Sequence, residues 1–149
     1  AKAFLAHTSY AVAIADLARR IGFAITACAP KAEQSAFAEV DQRIEDYALP
    51  IHEPGARFIV VSTQGRGDEA ALRAALAVDA DFVAFVGSRK KAAKLKETLA
   101  ASGADAGKGA KLKAPAGLDL GAITPEEIAL SVLAEIIAVR RAHHERGEA

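Results

Sequence analysis

Several things are scarce in this chain, and each scarcity removes a class of function. One cysteine, Cys28, stands among 149 residues, which rules out an internal disulfide and fits a reducing compartment. Basic and acidic residues number 19 each, so the net field gives no reason to expect nucleic acid or an anionic membrane as partner. No apolar run approaches the ~18 residues needed to cross a bilayer, and no charged-then-apolar leader opens the chain. A cytoplasmic location is therefore the expectation. Aromatics are few, at 5%. Glycine is missing from the first strand-to-helix turn, Ala6-His7-Thr8-Ser9-Tyr10-Ala11, where a dinucleotide fold needs it so that a pyrophosphate can approach the helix. The acidic residue that would hold ribose hydroxyls after the second strand is also missing, since the chain there reads Cys28-Ala29-Pro30. Both gaps argue against conventional NAD(P) binding.

What is present is an ordinary globular composition: 52% hydrophobic, 26% charged, and about a quarter alanine, which suits close packing of helices on a sheet. A length of 149 residues and 15.5 kDa is expected to be one domain, 1–149, with a real core. It starts almost directly in a strand, as one domain of a longer protein would.

Apolar runs bounded by turn signals predict strands at Ala3–Ala6, Phe23–Cys28, Phe58–Val61 and Phe82–Val86, with weaker ones near Asp46–Leu49 and at Lys111–Lys113. Helical periodicity predicts a helix from Thr8 or Ser9 to about Ile21, stopped by Gly22 in a left-handed conformation. Further helices are expected at Asp68–Val78, at Ser88 to about Ser102, and from Thr124 to about Arg141. The last has the clearest start, with Thr124 as cap, Pro125 in the first helical position and Glu127 placed for a capping box. Strands alternating with helices predict an α/β fold: a Rossmann-like, mostly parallel sheet with helices on both faces, a three-layer αβα arrangement. The last helix is apolar nearly all round. Either one side lies on the sheet and the other on a second subunit or further domain, or neighbouring helices cover it entirely.

Ligands of such sheets gather at the carboxyl ends of the strands. The loop Ser62-Thr63-Gln64-Gly65-Arg66-Gly67 lies at one such end. At the next, Gly87-Ser88-Arg89-Lys90-Lys91 puts three cations into the first turn of a helix, against its dipole. Local sequence that opposes local physics is a functional signal. Arg66, Arg89 and Lys90 together could hold a phosphate or another anion, or they could be a solvated basic surface. Thr8 and Ser9 could assist an anion at the first helix or merely cap it. Cys28 could face the crevice as a nucleophile or sulfur ligand; a buried thiol acting as a small hydrophobe is the stronger reading. Gly107-Lys108 has the wrong spacing for a phosphate loop. His143 and His144 are adjacent and point apart on a helix, and His52 has no visible partner. No Ser–His–acid set can be assembled.

Three runs carry a resemblance: Thr63-Gln64-Gly65-Arg66-Gly67-Asp68-Glu69-Ala70-Ala71-Leu72, Val86-Gly87-Ser88-Arg89-Lys90-Lys91, and Gly117-Leu118-Asp119-Leu120-Gly121-Ala122 followed by Thr124-Pro125-Glu126-Glu127-Ile128-Ala129. In this order and spacing they resemble the carboxy-terminal Rossmann domain of the XdhC/CoxI accessory proteins of molybdenum hydroxylases. The resemblance implies a maturation factor for an enzyme such as xanthine dehydrogenase or aerobic carbon monoxide dehydrogenase. Such a factor binds molybdenum cofactor (molybdopterin), supports its sulfuration and delivers it to the apo-enzyme, with a cysteine desulfurase as a further partner and without catalysis of its own. The implied cofactor-binding set is Ser62, Gln64, Gly65, Arg66, Gly87, Ser88, Arg89, Lys90 and Asp119, with Thr8 and Ser9. A homodimer through the last helix is expected. The first third departs from the family pattern in its glycine-free turn, and the family's amino-terminal domain, with its own cysteine, is absent. A small nucleotide-dependent enzyme using the same crevice, or a pure interaction module, are the alternatives.

Overall fold

A computed structural model of the chain describes residues 2–5, 9–37, 39–63, 67–101 and 112–145. In chain order it shows β1 (Lys2–Leu5), α1 (Ser9–Arg20), β2 (Ala24–Cys28), a 3-10 turn (Lys31–Ala36), β3 (Gln42–Ile44), β4 (Arg57–Val61), α2 (Asp68–Leu76), β5 (Phe82–Phe85), α3 (Arg89–Ala101), β6 (Leu112–Lys113) and α4 (Pro125–Glu145). The strands form one six-stranded sheet in the order β3-β2-β1-β4-β5-β6, and every neighbouring pair is parallel. This is the doubly wound order of the Rossmann-like fold, with its topological switch between β1 and β4.

Both faces are covered, as a parallel sheet requires. On one face Phe58 and Val60 of β4, with Ile25, Ala27, Phe82 and Ala84, pack against Ile14 and Ala18 of α1 and Val132, Leu133 and Ile136 of α4. On the other, Ile59 and Val61, with Val83 and Phe85, meet Leu72 and Ala75 of α2 and Ala92 and Leu99 of α3. Gly22 ends α1 with a φ of 94°, as its position predicts. Thr124 Oγ1 accepts from Glu127 N at 3.2 Å while Glu127 Oε1 accepts from Thr124 N at 2.9 Å, closing the expected capping box. The backbone N–H groups of Thr124 and Ile123, which both donate to Glu127 Oε1, hold its carboxyl below the ordinary range. Stability from this contact is therefore present at neutral pH and is lost as pH falls through the lowered value.

The third strand is a correction. It lies at Gln42–Ile44 rather than Asp46–Leu49, and its side chains are largely exposed, so it carries little hydrophobic signal. Polar side chains build it instead. Gln34 Nε2 donates to the carbonyls of Ala29 and Ile44, both at 2.8 Å. Arg43 donates to the carbonyls of Gln34 at 2.6 Å and Phe37 at 2.8 Å, and Asp41 Oδ2 accepts from Ile25 N at 2.6 Å. The last helix also differs from expectation, running one turn beyond Arg141 to Glu145. Neighbouring helices do not cover it completely: Leu130 is 58% and Ile137 37% exposed.

Arg57 opens β4 and is 2% exposed. Its guanidinium donates to the carbonyls of Pro50, Ile51 and Asp79, and its backbone N–H donates to Asp81 Oδ2 at 2.7 Å. One buried cation thus fastens the irregular 45–55 segment to the amino edge of the sheet. Replacing Arg57 with alanine strands those carbonyls and is expected to cost about 3 kcal/mol. A urea denaturation midpoint close to that of the parent would refute this account.

Candidate functional site

At the carboxyl edge, β4 and β5 run in register with Val61 opposite Phe85, and Val86 N donates to Val61 O at 2.9 Å, extending the ladder one step. The chain leaves β4 through Ser62 and Thr63, which are 0% and 5% exposed. It leaves β5 through Gly87 and Ser88. A Cβ on Gly87 would come within 2.5 Å of the Phe85 ring, so this turn needs a residue without a side chain. Ser88 Oγ accepts from Lys91 N at 3.1 Å and caps α3. Arg89 and Lys90 occupy the exposed first turn of that helix.

A third segment completes the edge. Residues 115–122 are tied down by Ala116 N to Phe85 O at 2.7 Å and Leu118 N to Ser131 O at 3.1 Å, and by Gly117 N to Glu135 Oε1 at 2.5 Å. Glu135 Oε2 also meets Lys113 Nζ at 3.1 Å. So anchored, the segment presents Asp119, whose Oδ2 accepts from Arg89 Nη2 at 2.9 Å. The pair lies at the surface, 77% and 82% exposed.

The structure thus brings Ser62, Gly87, Ser88, Arg89, Lys90 and Asp119 to one edge. Arg89 differs from the expectation of an open anion ligand, because Asp119 already neutralises it. That contact also offsets the unfavourable placement of cations at the start of α3. Ser9 begins α1 and is exposed. Gln64, Gly65, Arg66 and Thr8 lie outside the described residues, as does the Gly103–Gly109 stretch. Sequence reading missed Thr63, which shares the buried strand exit with Ser62, and Glu135, whose anchoring role is hidden within helical periodicity.

Other candidates lose their chemistry on inspection. Cys28 is 4% exposed and packs with Ile59 and Val61. Burial, with Asp46 adding to it, pushes the thiol up to about 12, so it is held as the neutral small hydrophobe. His52 is not alone: its Nδ1 lies 2.5 Å from Asp79 Oδ2. Among the described residues no group of three or more His, Cys, Asp or Glu side chains is placed to hold a metal. A cavity of about 300 Å³ lies at the amino ends of β4 and β5, lined by Glu53, Arg57, Asp79 and Asp81 among others. It is the wrong edge of the sheet for this fold's ligands, and the Arg57 guanidinium there is committed to backbone carbonyls.

Two outcomes test this geometry. Gly117 has a φ of 96°, and a Cβ there would lie 2.3 Å from Ser131 Oγ. Gly117→Ala is expected to cost about 2–4 kcal/mol by denaturant melt, and Ser131→Ala should not restore it fully because the backbone strain remains. Cys28 should resist a thiol reagent at pH 8 in the native chain and react once urea unfolds it; rapid native labelling would contradict its burial.

Comparison with known proteins agrees with this architecture. The family model for the XdhC Rossmann domain matches residues 5–136. An uncharacterized Escherichia coli K12 protein, YqeB, is 35% identical over 83 residues, which are 56% of this chain and 15% of that protein. A crystal structure from Bacillus halodurans, described as a xanthine dehydrogenase, superposes with a TM-score of 0.77 at 20% identity, over 98% of this chain and 46% of that one. At that identity the likeness speaks for the fold. The chain spans less than half the length of either relative. With the doubly wound sheet, the carboxyl-edge loops and a family match over most of its length, the chain belongs to the XdhC Rossmann domain family.

Proposed function

We propose that this domain is the cofactor-holding part of a maturation factor for a molybdenum hydroxylase of the xanthine dehydrogenase or carbon monoxide dehydrogenase type. Family membership supports the class of function, and one observation carries the choice of site. Arg89 is held by Asp119 at 2.9 Å, at the amino end of α3 and beside the exits of β4 and β5. A bound phosphate takes the place of the Asp119 carboxylate: it meets the same guanidinium, with Lys90, the α3 N–H groups and the Ser88 hydroxyl as further donors. The donor set therefore fits the phosphate end of molybdenum cofactor or of its nucleotide form. When bound, the cofactor supplies the metal chemistry; this chain's residues bind and orient its anionic end.

Asp119 serves as a stand-in anion in this reading. It keeps Arg89 aimed at the crevice before the cofactor arrives and yields to a stronger charge. Ser62 stands at the exit of β4 and Ser9 at the start of α1; Gln64, Gly65, Arg66 and Thr8, which lie outside the described residues, are proposed as further ligands from the resemblance alone. The domain acts by holding rather than by catalysis, in the cytoplasm, with the apo-hydroxylase as recipient and a cysteine desulfurase as sulfur donor. Conventional NAD(P) is not its ligand.

Arg89→Ala should weaken molybdenum cofactor binding roughly tenfold or more in a direct titration, as expected for loss of a charge-assisted contact. Asp119→Asn should leave binding intact or tighten it, since a competing anion is removed. Neither change should move the melt by more than about 1 kcal/mol, because the pair is solvent-exposed. Unaltered affinity in Arg89→Ala would discard the site.

A further inference from the structure

The 114–122 segment has no regular structure and half of it is exposed, yet it is fixed from several sides. Lys96 Nζ of α3 donates to Ala114 O at 3.1 Å, Ala116 N to Phe85 O at 2.7 Å, and Leu118 N to Ser131 O of α4 at 3.1 Å. Glu135 of α4, whose side chain is 11% exposed, makes two of the ties. One of its oxygens accepts from Gly117 N and the other meets Lys113 Nζ at 3.1 Å. The same ammonium donates to Pro115 O at 3.2 Å. Leu120 N then donates to Leu118 O at 2.9 Å, which closes a three-residue turn with Asp119 at its apex. β5, α3 and α4 thus converge to fix the backbone on which the exposed Asp119 carboxylate stands.

An ion pair between exposed side chains is usually worth little, because both chains must give up their freedom to meet. Here the carboxylate gives up less, since its backbone is placed beforehand and its side chain is short. Tethering also makes the contact intramolecular: whatever leaves Arg89, Asp119 stays within reach at high effective concentration. A guanidinium offers several donors in a planar fork, enough to be shared for a moment by an outgoing and an incoming anion. A phosphate that lets go of one donor is therefore replaced there by Asp119 before it can rebind. Such an internal competitor lowers the holding strength of the site and speeds its emptying. That suits a domain that must hand its ligand on.

We infer that Glu135 is a positioning residue for ligand release: by tethering Asp119 opposite Arg89 it makes that carboxylate an internal displacer of the bound anion. This rests on the carboxyl-edge site proposed above. In the free 149-residue chain, Glu135→Ala should speed hydrogen exchange at the Gly117 and Leu118 amides. Glu135→Gln, which keeps an acceptor for Gly117 N, should largely retain their protection. Stopped-flow dissociation of molybdenum cofactor then reads the function. Asp119→Asn should slow release about two- to fivefold, the span of a surface ion pair. Glu135→Ala should slow it in the same direction, with Glu135→Gln close to the parent. Lys96→Met, which removes a surface tether and leaves the core alone, should act likewise and takes the place of Glu135→Ala if that variant does not fold. In the Asp119→Asn background neither change should slow release further, whereas a merely structural effect would persist there. Arg89→Ala without effect on affinity would remove the site and this inference together. Where Arg89→Ala does weaken binding, release that is unchanged or faster in the loosening variant, or equally altered without the Asp119 carboxylate, would overturn the inference alone.

Discussion

The structure depends on burying β4 from both sides at once. All five of its residues, Arg57–Val61, are buried, and the strand lies between β1 and β5 in the interior of the sheet. Side chains alternate across a strand, so Phe58 and Val60 commit one face to α1 and α4 while Ile59 and Val61 commit the other to α2 and α3. A slip of one residue would exchange the two sets and place the Arg57 side chain in the wrong layer. Because register is fixed this way, the exit of β4 at Ser62 is fixed too. The polar edge inherits its position from an apolar strand.

The two edges of the sheet use charge differently. At the amino edge Arg57 is buried and its Nη1 and Nη2 donate to three backbone carbonyls, which makes it a fastener. At the carboxyl edge Arg89 is exposed and meets a carboxylate that solvent and salt can screen. The first arrangement is costly to disturb and unavailable to a ligand. The second is weak in itself and open to exchange. The cavity of about 300 Å³ thus lies at the amino edge, where the Arg57 guanidinium already serves the backbone.

Much of this was legible in the residues because hydrophobic signal and fold agreed. The apolar runs at Phe58–Val61 and Phe82–Val86, the Thr124 capping box and the Gly22 stop all mark elements that burial or capping forms locally. β3 was misplaced because Gln42–Ile44 is a polar edge strand; its position is set by Gln34 and Arg43 reaching backbone carbonyls several residues away, which periodicity does not encode. The Asp119–Arg89 pairing spans 30 residues of chain. Sequence pattern could nominate both side chains and mark the cations as misplaced on a helix dipole. Only the docking of the 115–122 segment shows what compensates them, and His52 found its partner Asp79 the same way.

That docking joins the candidate site to α4. Glu135 uses one oxygen on Gly117 N and the other on Lys113 Nζ, and Ser131 lies where any side chain at position 117 would have to go. Two consecutive turns of α4 therefore hold the segment that carries Asp119, and through it the guanidinium of Arg89. The sheet-facing side of α4 is packed too tightly to shift without disturbing the core that Val132 and Ile136 fill. Its outer side carries exposed apolar residues within one turn of that anchor. The exposed outer face of α4, with Leu130 and Ile137, and the segment that carries Asp119 at the carboxyl edge therefore share one rigid support.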